Sequence, residues 1–87
     1  MLLKVSSKTE PKKLAGAILG AMRENGGSVE LQAIGAGAVN QAVKAVAVAH
    51  RIMDEDDGRK IKVIPGFADV ELRDRQVTAV KFTVFAS

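Results

Sequence analysis

The run Gln32-Ala-Ile-Gly-Ala-Gly-Ala-Val-Asn-Gln-Ala-Val-Lys-Ala-Val-Ala-Val-Ala-His50 constrains this chain more than any other stretch. A strand leads into it, with Val29, Leu31 and Ala33 on one side and Glu30 and Gln32 on the other. Gly35 and Gly37 then mark a turn, and a long apolar helix runs from there to about Met53. Val39, Ala42, Val43, Val46, Ala49 and Met53 recur at helical spacing and should face a sheet. Ala38, Ala45 and Ile52 widen that stripe. The opposite side keeps only Asn40, Lys44, Ala47 and Arg51, which leaves Ala47 and Val48 exposed. A helix apolar around most of its circumference is usually covered on more than one side. In a chain of 87 residues the simplest second cover is another subunit. The alternative is a well-packed, alanine-rich helix in a monomer.

The flanking segments fit around this helix. Leu2 to Val5 reads as a short strand bounded by Ser6-Ser7. Thr9 is the expected N-cap of a first helix, with Pro11 in its opening turn and Leu14, Ala17, Ile18, Ala21 and Met22 as its apolar face. Ala15, Gly16 and Gly20 are small and suggest close packing against a neighbour, and Asn25-Gly26-Gly27 stops the helix. Strand, helix and strand in this order favour a parallel crossover. After the second helix, Asp54-Glu-Asp-Asp-Gly58 breaks the pattern. Ile61, Val63 and Ile64 form a third strand, Pro65-Gly66 predicts a bulge or kink, and Phe67, Val70 and Leu72 continue it raggedly. Arg73-Asp-Arg-Gln76 reads as a turn into an alternating fourth strand, Val77 to Phe85, antiparallel to the third. The expectation is one α+β domain over residues 1–87: a two-layer β-α-β-α-β-β fold, with two helices on one face of a mixed four-stranded sheet.

Composition narrows the function. The absence of cysteine excludes disulfides and thiolate metal sites. The first residues hold no apolar run of signal-peptide length, and the longest aliphatic run of the second helix, Ala45 to Ala49, is too short to span a bilayer. A cytoplasmic protein without membrane attachment is expected. The net charge of +3 is uneven. Residues 1–53 carry seven basic groups against three acidic ones, and residues 54–87 carry six against seven. Such a balance permits an anionic partner without demanding one.

Few motifs carry chemistry. Gly35-Ala-Gly37-Ala-Val-Asn40 resembles the start of a dinucleotide fingerprint, but Asn replaces the third glycine and the chain lacks room for the rest of such a fold. A tight turn for close helix–sheet contact is the larger share of its meaning, although a helix start can also hold a phosphate. Lys8, Lys12 and Lys13 cluster where the first helix begins. They read either as a phosphate-contacting patch or as an ordinary solvated helix start; lysines in a first turn oppose the helix dipole, which favours the first reading. The acidic turn fails as a calcium loop, because its twelfth position is Pro65. His50, the single histidine, has no partner at a useful spacing and is expected at a surface or interface. Ser6, Ser7 and Ser28 lie in no nucleophile turn, so the chain is expected not to be an enzyme and to need no cofactor or metal. Arg73 and Arg75 occupy the hairpin tip, from which they could reach a groove, but with Asp74 between them and Gln76 after, an ordinary polar turn accounts for them at least as well.

The central run, together with Leu3-Lys-Val-Ser-Ser7, the small-residue first helix and Ile64-Pro65, closely resembles the stage V sporulation protein S family over essentially the whole chain. That family is similar in turn to the Alba superfamily of dimeric nucleic-acid-binding proteins. The resemblance implies the same β-α-β-α-β-β fold with a projecting last hairpin. It implies nucleic-acid contacts from the loop before the first helix, matched here by Lys8, Lys12 and Lys13. It adds the turn before the second helix, in the region of Asn40, Gln41 and Lys44, and the hairpin, at Arg73 and Arg75. Two departures stand out: the glycine turn carries no basic residue, and the hairpin loop is short. The expected partners are DNA or RNA and further copies of the chain, as a homodimer or higher homo-oligomer, with a sporulation or developmental role. A protein-interaction scaffold that binds no nucleic acid is the alternative, supported by the uncharged turn and the Ala/Val-rich helix. A weaker third reading places an anionic metabolite at the Gly35–Asn40 helix start.

Overall fold

In the computed structural model, which describes residues 1–87, six elements follow one another. They are β1 (Leu2–Val5), α1 (Pro11–Glu24), β2 (Ser28–Ala33), α2 (Ala36–Asp57), β3 (Ile61–Leu72) and β4 (Arg75–Ala86). The strands form one sheet in the order β1-β2-β4-β3, with β1 parallel to β2 and the other neighbours antiparallel. The expected element order and mixed sheet are present. Alternation decides which strand residues meet the helices: Val29, Leu31 and Ala33 of β2 and Phe82 and Val84 of β4 are buried in one cluster with Leu14, Ala15, Ile18 and Met22 of α1.

The second helix sits differently from its expected stripe. Its buried line is Ala38, Ala42, Ala45 and Ala49, and Val43 is 52% exposed, on an open groove beside β3 instead of in the core. The cause is the neighbour: α2 packs chiefly against α1, and less against the strands. The methyl-only seam turns toward that contact, which rotates Val43 outward. Val39, Val46 and Met53 flank the seam, half-buried. Ala47 is exposed as expected, whereas Val48 is half-buried. The small residues of α1 also divide. Ala15 is buried, but Gly16 and Gly20 have open space where a side chain would stand, so no neighbour within the chain packs on them. Glu10, not Thr9, is the N-cap of α1.

At β3 the expected bulge is absent. Ile61 to Leu72 pairs one-to-one with Ala86 to Arg75 without a break, Pro65 opposite Phe82 and Gly66 opposite Lys81. The sheet order explains this, because β3 is an edge strand. Lys60 and Ser87 exchange both of their backbone hydrogen bonds. By antiparallel alternation the odd-numbered residues of β3 then point their nitrogens away from β4. Pro65 is one of them, so its missing N–H removes no ladder bond. Ile61 is another, and its outward N–H donates to His50 Nδ1 at 3.2 Å.

Pairing of β2 with β4 ends at Ala33 and Val80. Beyond that rung, Ala68–Leu72 and Arg75–Ala79 pair only with each other, as a two-stranded arm of about 17 Å. The molecule accordingly measures 45 Å along its longest axis against 23 and 18 Å across. The turn is two residues, Arg73 and Asp74, shorter than the expected Arg73–Gln76, because Arg75 and Gln76 already pair with Leu72 and Glu71. The loop is short, but the arm that carries it is long.

Candidate nucleic-acid interface

The loop between β1 and α1 is closed by its own bonds. Thr9 Oγ1 accepts the Ser6 N–H at 2.9 Å, the Thr9 N–H donates to the Ser6 carbonyl at 3.1 Å, and the Lys8 N–H donates to Ser6 Oγ at 3.2 Å. Thr9 therefore closes this turn and leaves the helix start uncapped by a side chain. Gln41 of α2 reaches across, its Nε2 donating to the Thr9 carbonyl at 2.9 Å. Gly37 completes the junction: a Cβ there would lie 2.9 Å from Ser7 Cβ. Gly35 holds φ 90°, a conformation that favours glycine. Backbone geometry and close approach thus account for both glycines of the turn.

This junction gathers the lysines. Lys12 of α1 and Lys44 of α2 line one shallow groove, with Glu10, Pro11, Ala47 and Val48 between and around them. Lys8 is exposed on the adjoining loop, and Asn40 is exposed on α2 one turn before Lys44. Lys13 pairs with Glu10 at 2.9 Å, and the two side chains are 82% and 65% exposed, so solvent screens the pair. Lys8, Lys12 and Lys44 make no ion pair. Four lysines against Glu10 leave this side of the molecule positive. Gln41 stands apart from them, because its amide is committed to the Thr9 carbonyl.

The arginines lie elsewhere, at the far end of the arm. Arg73 holds φ 48°, the single non-glycine residue with a positive φ in the chain. A left-handed conformation costs an L-residue about 1–2 kcal/mol, and glycine or asparagine would relieve it. Arg75 pairs with Leu72 on the last rung. The arm also carries Asp69, Glu71 and Asp74, so its acids outnumber its arginines. Alternation separates them: Asp69 and Glu71 share the side of Phe67, whereas Arg75 shares the other side with Val77 and Ala79.

Three residues outside the expected set position the neighbouring elements. His50, expected at a surface or interface, is half-buried and fixes the start of β3 through Ile61. Asp54 accepts from Lys60 Nζ at 2.6 Å, and Asp57 Oδ1 accepts the Arg59 N–H at 3.0 Å. The hydrogen bond from Lys60 first, and its charge second, hold the Asp54 carboxyl below its ordinary value. The acidic turn, unfavourable beside a helix C-terminus, thereby finds donors in the segment that follows it. Adjacent Asp and Lys types were the only signal in the sequence, and the pairing needed the turn at Gly58, whose φ is 72°.

Comparison with known proteins follows from this geometry. A family model described as Stage V sporulation protein S matches residues 1–87. Among solved structures, Alba from Thermoplasma volcanium superposes with a TM-score of 0.63 at 12% identity, covering 100% of this chain and 99% of that one. At that identity the likeness establishes the fold.

Proposed function

The chain belongs to the stage V sporulation protein S family, and from that premise we propose that it binds DNA or RNA electrostatically as a homo-oligomer, without catalysing a reaction. Its setting would be the cytoplasm, in sporulation or developmental regulation. The observation that carries the reading is the groove in which Lys12 and Lys44, from different helices, meet without an ion pair, next to the loop that carries the equally unpaired Lys8. Unpaired lysines converging on a concave strip suit a phosphate backbone, which supplies affinity without sequence preference. Lys13 adds to the same field, and Asn40 can donate to a phosphate or sugar. Arg73 and Arg75 would reach a second stretch of the same polymer, on an arm whose acids keep that contact weak.

Oligomerisation draws on a different surface. Val43, Val46, Val63, Pro65 and Phe82 line an apolar groove between α2 and β3. Phe67, 81% exposed, continues it on the same side of the sheet. A second copy would cover this groove by side-chain packing, because Pro65 interrupts the row of donors that strand addition requires. A gel-shift series with single- and double-stranded DNA and RNA across salt tests the first part, and light scattering across concentration tests the second. Replacing Lys12 and Lys44 by Ala should weaken binding uniformly across sequences and lower the salt slope by about 2. No retention of any nucleic acid at low salt would leave the alternative, an interaction scaffold, which the net acidity of the arm and the exposed apolar groove favour.

A further inference from the structure

The face of the sheet turned away from both helices is not bare. Alternation places Lys4 on β1, Glu30 and Gln32 on β2, Lys81, Thr83 and Phe85 on β4, and Lys62 and Ile64 on β3 together on that face. Their partners on the opposite parity, Val29, Leu31, Phe82 and Val84, are the buried core. Register orders the open face into rows. Lys4, Gln32 and Lys81 stand side by side across β1, β2 and β4, and Lys62 stands beside Phe85 further along. Glu30 is the single acid among them, and its carboxylate lies 3.5 Å from Lys81 Nζ. Along β4 the same parity continues to Arg75 on the arm. Between the charges sit apolar surfaces: Ile64 is 59% exposed, Leu2 is 44% exposed and Phe85 is half-buried.

We infer that this helix-free face binds single-stranded nucleic acid. The positive excess of Lys4, Lys62 and Lys81 over Glu30 selects a polyanion. The apolar residues between them select one that also presents flat unpaired bases, since bases rest on aromatic and aliphatic surface while phosphates meet lysines. Size excludes a duplex groove. Four strands span about 14 Å between their outer axes before side chains are added, broader than a major groove of about 12 Å. The surface lies across the sheet from the Lys12–Lys44 groove and acts independently of it.

The test is fluorescence anisotropy with a labelled oligothymidylate of about 20 nucleotides, beside a duplex of equal length, on the full chain. Replacing Lys4, Lys62 and Lys81 together by Ala should weaken the single strand about tenfold or more, lower its salt slope by about 2, and leave the duplex unchanged. Glu30→Gln should tighten the single strand by about threefold, a gain that damage to the fold would not produce. Replacing Lys12 and Lys44 by Ala should weaken the duplex more than the single strand. On the wild-type protein, titration of the oligothymidylate should shift the NMR amide signals of Lys4, Gln32, Lys81 and Thr83. The inference is overturned if the triple variant holds the single strand as tightly as the wild type, if it loses both nucleic acids equally, or if the shifts map to the Lys8–Lys12 loop. No binding of oligothymidylate by the wild type would also end it, while duplex binding through the groove would stand.

Discussion

Replacing Gly37 by Ala tests the junction that holds the lysine-bearing loop. The new Cβ would stand 2.9 Å from Ser7 Cβ, whereas carbon atoms settle at about 3.5–4.0 Å. Neither atom ends a flexible side chain, so the first turn of α2 or the loop itself has to give by about half an ångström or more. The loop is not free to do so, because Gln41 binds the Thr9 carbonyl at 2.9 Å. Overpacking of this kind costs about 1–3 kcal/mol, and the better helix propensity of alanine returns about 0.5–1 kcal/mol. The net expectation is a loss of about 1 kcal/mol, or a fall in Tm of about 4–8 °C for a domain of this size. The chain has neither Trp nor Tyr, so unfolding is followed by far-UV circular dichroism. The decisive measurement is a double-mutant cycle with Ser7→Gly, which removes the opposing Cβ. In that background Gly37→Ala should stabilise. If the substitution raises Tm with Ser7 in place, or has the same effect in both backgrounds, the close-approach account of this glycine is wrong.

Arg73→Gly should raise Tm by a few degrees, since relief of about 1–2 kcal/mol outweighs the added chain entropy of about 0.5–1 kcal/mol; a drop in nucleic-acid affinity in the same variant, measured by gel shift, would mark the arginine as kept for binding. His50→Leu leaves the Ile61 N–H without its acceptor and should cost about 1 kcal/mol, with faster amide exchange at Ile61 as the local readout. Asp54→Asn probes the Lys60 pair. The folded carboxyl lies below its ordinary value of 3.8, so the pair's contribution is complete above that value and disappears as pH falls through the lower folded one. Melting curves of variant and wild type should therefore differ at neutral pH and converge in acid.

Much of the fold was legible because apolar period alone reports element type: period two in Val29-Glu-Leu-Gln-Ala33, and helical spacing in the first helix. What periodicity lacks is the neighbour. The lean of α2 is decided by its contact with α1, so the expected stripe packs on the core except at Val43, which is left on an open groove beside β3. Pro65 predicts a break only if its strand is central, and edge position belongs to the topology. Of the candidate interface, Lys8 and Lys12 were legible as charges beside a helix start, and Lys44 as part of the narrow polar stripe of the second helix. The meeting of Lys12 and Lys44 in one groove depends on how the two helices cross. Gln41 looked equivalent to Asn40, but adjacent helical residues point about 100° apart, and one of them meets Thr9. The lysines of the open sheet face were hidden by spacing: Lys4, Lys62 and Lys81 come from three separate strands, and only register makes them neighbours.

The outward nitrogens of β3 bear on how the protein behaves when crowded. A free strand edge is a template on which a second chain can lay its own backbone and begin a fibre. Here the outward positions run Ile61, Val63, Pro65, Phe67, Asp69 and Glu71. The first donor is already taken by His50 and the third does not exist. Val63 and Phe67 are left about 14 Å apart with no donor between them, a break in the ladder an incoming strand would have to form. Pro65→Val would close that gap without touching the β4 ladder. The variant should keep its melting temperature and gain thioflavin-positive aggregation on storage, so that residue protects the shelf life of the fold more than its stability.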